Sequence, residues 1–389
     1  MLRRSGRVGL RCATLTTTSQ PLHVVRTRTV PEALRGGTLE GPDVVTSLLR
    51  YGTAIEHELP LAGRRFTMGS APDRDIAIQS PFVSARHCRL DRKLLGLQVI
   101  DQGSKNGTFF EGKREKGFYL RPGTTFVVGA LPHCFLALND EMRACHPELL
   151  EILGDSSEHT TRSETPSPSD LLLAAVHGGH LLITSEPGCE QDRLARIVHR
   201  ISRLRARPIV ELDQIPIDRA AQLDLIRRRA ARSTLVLDLG AGVRLPEGFV
   251  SAVFSPRYRV RVIALARSID IAGEALGGPY VRQMQHVWLA PVASRSEAID
   301  RLLDRMFVER KSSLRMVDLT PDNQAALRAY RWPGNFASLR EAADRLTTIT
   351  GLGSIHKAAH ALGVPPSTLY HWYSHIMGLA RPLVRSVDR

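Results

Sequence analysis

Two short stretches gather side chains able to hold an anion. Asp101-Gln-Gly-Ser-Lys-Asn-Gly-Thr108 sets the hydroxyl of Ser104, the ammonium of Lys105 and the amide of Asn106 in a row. Upstream, Val83-Ser-Ala-Arg-His87 adds the hydroxyl of Ser84, the guanidinium of Arg86 and the imidazole of His87. Brought together, such groups give a phosphate several charge-assisted hydrogen bonds. Nothing else in the chain reads as a catalytic set. The five cysteines (Cys12, Cys88, Cys134, Cys145, Cys189) lack paired spacing, which argues against a zinc site or a disulfide framework and fits a reducing cytoplasm.

These residues need a scaffold that brings two loops to one end. Gly96-Leu-Gln-Val-Ile100 and Thr108-Phe-Phe110 have strand composition and flank the first stretch. Asn106-Gly107 is a tight-turn dipeptide, and Gly103 and Gly107 relax the backbone around it. The turn should therefore project from the end of a β-structure.

The set Gly69, Val83-Ser84-x-Arg86-His87 and Asp101-x-Gly-Ser-Lys-Asn-Gly-Thr108 resembles the forkhead-associated (FHA) domain in order and spacing, over about residues 45–139. The resemblance implies an eleven-stranded β-sandwich whose loops at one end bind phosphothreonine peptides. It implies that Ser84 and Arg86 contact the phosphate and that Lys105 assists. Asn106 would hold the peptide backbone, while Gly69 and His87 shape the loops. The family usually places Arg directly after the first Gly, where this chain has Ser70. Arg74 or Arg64 is the candidate substitute.

The chain has 389 residues, enough for two to four domains. Its formal net charge is +14, a balance that favours polyanion partners. No apolar run approaches a membrane span. Residues 1–42 are Arg- and Thr-rich and read as a disordered basic extension, followed by the FHA domain at 43–140. Residues 141–169 read as a flexible linker, because Asp155–Ser169 is polar and Pro-containing. Thr160, Thr161 and Thr165 in it are candidate phosphorylation sites for docking on the FHA loops.

From about residue 170 strands and helices alternate. His180–Thr184, Pro208–Leu212, Ser233–Asp238 and Tyr258–Ala266 read as strands, with helices over Asp192–Ser202 and Asp218–Arg232. Such alternation implies a parallel sheet flanked by helices. Leu181–Leu212 and the segment Arg331-Trp-Pro-Gly-Asn-Phe-Ala-Ser-Leu-Arg340 resemble the AAA+ domain of bacterial enhancer-binding activators that serve the sigma-54 form of RNA polymerase. The α/β part spans 170–290 and the helical lid 291–351. The nucleotide chemistry departs from that family. The phosphate-binding lysine position is Gln191, preceded by Glu190, and the acid pair after the third strand is reduced to Asp238. Gly188, Gln191 and Asp238 are thus the remnants of a nucleotide site, and the domain is expected to keep the fold without hydrolysing ATP. No cofactor is expected.

Residues 352–389 read as two short helices joined at Gly363. Ala358-Ala-His-Ala-Leu-Gly-Val-Pro-Pro-Ser-Thr-Leu-Tyr370 is similar to the Fis-type helix-turn-helix that ends enhancer-binding activators. The second helix would enter a DNA groove through Ser367, Thr368, Tyr370, His371, Ser374 and His375. The expected whole is a multidomain cytoplasmic regulator. Its parts are an FHA β-sandwich, a degenerate α/β AAA+ unit with helical lid, and an all-α DNA-binding end. Its expected partners are DNA and a phosphothreonine protein, with a second copy of the chain and a sigma factor as further candidates. Two alternatives stand beside it: a working ATPase activator, and a phosphopeptide scaffold that does not bind DNA.

Overall fold

The computed structural model describes residues 44–93, 96–154, 167–212, 215–240 and 244–384. The basic extension and the three linker threonines lie outside the described residues. Eleven strands form the first unit. One sheet runs β2 (Glu56–Glu58), β1 (Ser47–Arg50), β11 (Cys134–Leu138), β10 (Thr125–Val128), β7 (Thr108–Phe110), β8 (Lys113–Arg114). The other runs β4 (Ile76–Ala77), β3 (Arg65–Gly69), β5 (Cys88–Lys93), β6 (Gly96–Asp101), β9 (Gly117–Leu120). Alternate residues face inward, as a two-residue strand period requires. Phe66, Met68, Leu90, Leu97 and Val99 from one sheet meet Leu48, Phe126 and Phe135 from the other in a single core.

The segment read as a linker is in its first half a helix, and this corrects the boundary placed at 141–169. α1 (Asp140–Leu153) is capped by Asn139, whose side chain accepts from Met142 N–H at 2.9 Å. It ends at Gly154, which has a φ of 83°. Met142, Cys145, Leu149 and Ile152 recur at helical spacing and are buried. They join Leu49, Leu136 and Leu138 of the sandwich to the α/β unit in one continuous core. The other face of α1 is acidic. Glu148 and Glu151 pair with Arg193 at 3.7 and 2.8 Å, Glu141 pairs with Arg200 at 3.1 Å, and Glu151 also pairs with Arg305 at 2.8 Å. Arg143 turns back to Glu56 and Glu58 of β2. Arg193, Arg200 and Arg305 are therefore partnered within the chain. The sandwich touches the next unit directly as well: Tyr51 Oη donates to the Asp170 carboxylate, and Gly52 N–H donates to Ser169 Oγ at 3.2 Å. Burial and the neighbouring Asp170 push the Tyr51 phenol strongly up, so it stays a donor.

α2 (Pro168–His177) opens on a capping box between Ser167 and Asp170. It leads into five parallel strands ordered β13 (Ile209–Glu211), β14 (Thr234–Asp238), β15 (Arg261–Ala266), β12 (Leu181–Ser185), β16 (Gln285–Leu289). The four strands read from the sequence are present. The fifth, β16, was missed: its Gln285-His286 start is exposed, so it carries no unbroken apolar run. α3 (Gln191–Arg200), α4 (Arg219–Leu225), α5 (Glu247–Val253) and α6 (Ile269–Leu276) lie among these strands in the chain. The expected second helix leaves α geometry at Ile226 and closes as a π-helical turn through Ala230.

A short helix, α7 (Gly278–Val281), precedes β16, and the remainder is helical. α8 (Ile299–Glu309), α9 (Pro321–Ala329) and α10 (Phe336–Leu352) share one core with α11 (Ile355–Ala361) and α12 (Pro366–His371). Gly353, at φ 62°, breaks the chain where the sequence placed a boundary, but Leu369 and Trp372 pack into the same cluster as Phe307 and Phe336. The boundary at 351 marks a change of direction, not a separate core.

Candidate functional site

The two candidate anion-binding stretches meet at one end of the sandwich. Asp101 builds the first. Its Oδ1 accepts from Gly103 N–H at 2.8 Å and Ser104 N–H at 2.9 Å, and its Oδ2 accepts from Ser104 Oγ at 2.5 Å and Thr108 Oγ1 at 2.7 Å. Burial pushes the Asp101 carboxyl up, but these donors outweigh it and hold the group below its ordinary range. Ser104 is buried, donates to Asp101 and accepts from Gly107 N–H at 3.0 Å. Its hydroxyl holds the turn together, which corrects its reading as an anion ligand.

His87 clamps the two stretches. Ser84 N–H donates to His87 Nδ1 at 3.1 Å, so the ring proton sits on Nε2, which donates to Gly107 O at 3.0 Å. The ring is fully buried, and burial lowers its pKa. Gly69 has a steric reason: a Cβ there would lie 2.2 Å from Ala85 O, so the Ser84 loop could not approach. Ser70 N–H donates to Ser84 O at 3.0 Å and fastens that loop from the other side.

Four side chains then remain for a ligand. Ser84 Oγ accepts from Lys105 N–H at 3.1 Å, which leaves its O–H proton to donate outward. Arg86 and Lys105 are exposed. Asn106 Nδ2 donates to Phe82 O at 2.8 Å, so the amide ties the two loops together. Sequence reasoning missed Arg114. It stands opposite Phe109 in the β7–β8 hairpin, and its guanidinium donates to Ser104 O at 3.0 Å. It adds a positive charge behind the turn, and only strand pairing brings it there.

Of the nucleotide remnants, Gly188 and Gln191 follow β12 and Asp238 ends β14. The chain leaves β12 and β15 toward opposite sides of the sheet, so the crevice between these neighbours is where a doubly wound sheet takes a ligand. Here it is stoppered. Gln191 Nε2 donates to Ala266 O at 2.8 Å and Ile183 O at 3.2 Å, across the ends of both strands. Gly188 packs against the lid, where a Cβ would lie 2.4 Å from Gly334 O. Phe336 N–H donates to Gly188 O at 3.1 Å, and Asn335 Nδ2 donates to Pro187 O at 3.0 Å. Glu190, at the start of α3, forms an ion pair with Arg340 at 2.8 Å. An anion at this helix end would meet a carboxylate, and Asp238 is occupied accepting from Gly240 N–H at 2.8 Å.

At the C-terminal end, Ser367, Thr368, Tyr370, His371 and His375 are exposed on one helical run, α12 continued as a π-helical turn over Trp372–Ile376. Ser374 is half-buried, and its hydroxyl donates to Tyr370 O at 2.8 Å; it is withdrawn from the exposed set. The His371 and His375 rings lie 5.1 Å apart. Leu369, Trp372 and Tyr373 form the buried face, with Arg345 stacked 4.7 Å over Trp372.

Among the described residues no helix is long and apolar enough to cross a membrane, and no group of His, Cys, Asp and Glu is placed to hold a metal.

The fold and the loop geometry together define an FHA-like β-sandwich joined to an AAA-like α/β unit and a helical end. A family model described as the cytoplasmic domain of an inner membrane component of T3SS, Yop-YscD, matches residues 49–139, within the sandwich. Among solved structures the chain is similar to NtrX from Brucella abortus in complex with ATP, at 17% identity over 54% of this chain and 67% of that one, with a TM-score of 0.37. It is also similar to the Slr1951 protein from Synechocystis sp., at 30% identity over 23% and 90% of the two chains, with a TM-score of 0.21. A third is the FHA-1 domain of Rv1747 from Mycobacterium tuberculosis, at 21% identity over 25% and 100%, with a TM-score of 0.21. No curated protein matches the chain.

Proposed function

We propose that the protein is a bacterial transcriptional regulator. Its FHA-like domain recognises a phosphothreonine protein, its C-terminal helix pair binds DNA as a helix-turn-helix, and its AAA+ core does not hydrolyse ATP. One observation carries the reading: Ser84, Arg86, Lys105 and Asn106 converge at one end of a rigid sandwich, with their backbones locked by Asp101 and His87. A phosphate there meets a hydroxyl donor and two cations without reorganisation of the loops. Asn106 meets the peptide main chain.

The core's role follows from Gln191 and Glu190. An amide plugs the switch-point crevice, and the helix end holds a carboxylate already paired with Arg340, so triphosphate charge meets no lysine there. The unit acts as a fixed spacer joining sensor to effector. For the effector, Ser367, Thr368, Tyr370 and His371 supply donors on an exposed helix whose other face is anchored in the lid core. A homo-oligomer would supply the second half-site, and a sigma factor is a further candidate partner.

Titration of the full chain with a phosphothreonine peptide and its unphosphorylated twin tests the sensor. Binding should require phosphate and fall at least tenfold in Ser84→Ala and Lys105→Ala, as expected for lost charge-assisted hydrogen bonds of about 1.5–3 kcal/mol. Equal affinity for both peptides removes the sensor from the reading. Genome-wide mapping of bound DNA, with Tyr370→Ala as control, tests the effector. Tight phosphopeptide capture without DNA retention would instead favour a scaffold.

A further inference from the structure

The turns that feed the parallel sheet form a rim of one charge. β13, β14 and β15 run parallel, so the segments entering them (202–208, 226–233 and 254–260) lie along one edge, opposite the strand ends that Gln191 spans. Hydrogen bonds join the three turns into one surface. His199 Nε2 donates to Arg207 O at 3.0 Å while its Nδ1 accepts from Thr234 Oγ1 at 2.9 Å, and Arg232 N–H donates to Tyr258 O at 2.9 Å. Arg203, Arg205 and Arg207 lie in the first turn. The second holds the run Arg227–Arg229 with Arg232, and the third holds Arg257 and Arg259. No turn of the three contains Asp or Glu, in a chain where 53 Lys and Arg stand against 39 Asp and Glu. The rim is thus no sample of the average composition. All of these arginines except Arg205 are exposed. Among the described residues only Arg228 of the set meets a carboxylate, that of Asp224 at 2.7 Å.

The backbone is shaped to present these side chains. In the π-helical turn Ile226–Ala230 three consecutive arginines are exposed between two buried residues, and turns of this kind recur at functional sites. Arg232 and Arg259 sit at φ 57° and 51°, where glycine would carry no penalty. We propose that this rim is a docking surface for the phosphate backbone of a nucleic-acid duplex. The proposal goes beyond the helix pair, whose exposed Ser367, Thr368, Tyr370, His371 and His375 include neither Lys nor Arg. Sequence-independent affinity for a duplex comes from cations on phosphates, and guanidinium forks meet phosphate oxygens two bonds at a time. Neighbouring strands stand about 4.8 Å apart, so the three turns span about 10 Å, over which a duplex presents about six charges. A single small anion would leave most of the rim unused. Among the described residues, none of the large exposed apolar side chains falls in these turns. A protein partner would therefore find no apolar anchor there, and a membrane would receive no inserted side chain.

The test is fluorescence anisotropy of a labelled mixed-sequence DNA duplex, and of the same sequence as RNA, titrated with the full chain between about 50 and 200 mM KCl. Affinity should fall steeply with salt. Arg227→Gln, Arg228→Gln and Arg229→Gln together should weaken binding at least tenfold and flatten the slope of log affinity against log salt by about 2–3, since each phosphate contact contributes about 0.9. Arg203→Gln with Arg207→Gln, on another turn, should flatten it by about 1–2. Arg227→Lys, Arg228→Lys and Arg229→Lys together should keep most of the slope. All of these side chains are exposed, and an unaltered urea midpoint checks that the variants fold. Tyr370→Ala should lower affinity without flattening the slope, because it removes no charge. The DNA and RNA arms tell which duplex the rim holds. A slope unchanged in both Gln variants would overturn the rim, even where Tyr370→Ala weakens binding. Loss in the Gln variants with Tyr370→Ala silent would uphold the rim and count against the helix pair. Displacement of the duplex by polyglutamate or by anionic-lipid vesicles as readily as by unlabelled duplex, at equal charge, would overturn the assignment to nucleic acid. No duplex binding at low salt would overturn rim and helix pair together.

Discussion

Asn335 is the most informative single residue to change. It sits at φ 51° and ψ −125°, is 1% exposed, and joins three segments of chain. Its Oδ1 accepts from Val292 N–H at 2.8 Å, and its Nδ2 donates to Pro187 O at 3.0 Å and Glu186 Oε2 at 3.4 Å. Asn335→Ala strands the Val292 N–H, which is buried, at a cost of about 1–3 kcal/mol. The Pro187 carbonyl is on an exposed loop and recovers water, so its lost bond adds about 0.5–1.5 kcal/mol. The expected loss is about 1.5–4.5 kcal/mol. Asn335→Gly removes the same bonds but suits the backbone angle, and should be less destabilising than Ala by up to about 1 kcal/mol. Urea unfolding followed by tryptophan fluorescence measures this, since Trp332 is buried three residues away. Limited proteolysis after β12 should speed up in parallel. Magnesium-ATP should restore nothing, because the crevice is closed by Gln191 and not by the lid. A loss below about 0.5 kcal/mol, or rescue by nucleotide, would refute the argument that side chains fasten loop to lid in place of a bound nucleotide.

Three further outcomes are expected. The sandwich should lose stability in mild acid: burial lowers the His87 pKa, so below about pH 6.5 the unfolded chain takes up a proton that the folded ring refuses, and stability falls as pH drops toward the folded value. A flat unfolding midpoint between pH 7 and 5 would contradict this, and an NMR titration of the ring reads it directly. Gly69→Ala should displace the Ser84 loop, costing about 1–3 kcal/mol and abolishing phosphopeptide capture, because its Cβ has 2.2 Å to Ala85 O; unchanged peptide affinity would refute the steric reading. Tyr51→Phe should cost about 1–2 kcal/mol by stranding its share of Asp170, and should loosen the junction of sandwich and α/β unit in hydrogen exchange; unaltered protection of α2 would count against it.

Local chemistry is what the sequence alone determined. The Ser84–His87 and Asp101–Thr108 stretches announce their loops, because a turn held by Asp, Gly and Asn needs few distant partners. The four strands read in the middle of the chain show as apolar runs, because parallel strands are buried on both faces. The departure from the nucleotide-binding pattern is visible in Glu190 and Gln191 as bare residue types.

Only the tertiary structure decided what each polar group is free to do. Ser104 and Ser374 look like ligands in the sequence, yet each spends its hydroxyl inside the fold. Asp140–Leu153 looks like the start of a linker, because its polar face masks a helix whose partners include Leu49 and Arg200, each more than forty residues distant in the chain. Arg74, Arg89 and Arg114 have no motif, and they gather near the loop end only because the β3–β4 turn, β5 and β8 place them there. A hydrogen-bond donor's availability depends on what packs over it, and packing between distant segments leaves no trace in local spacing.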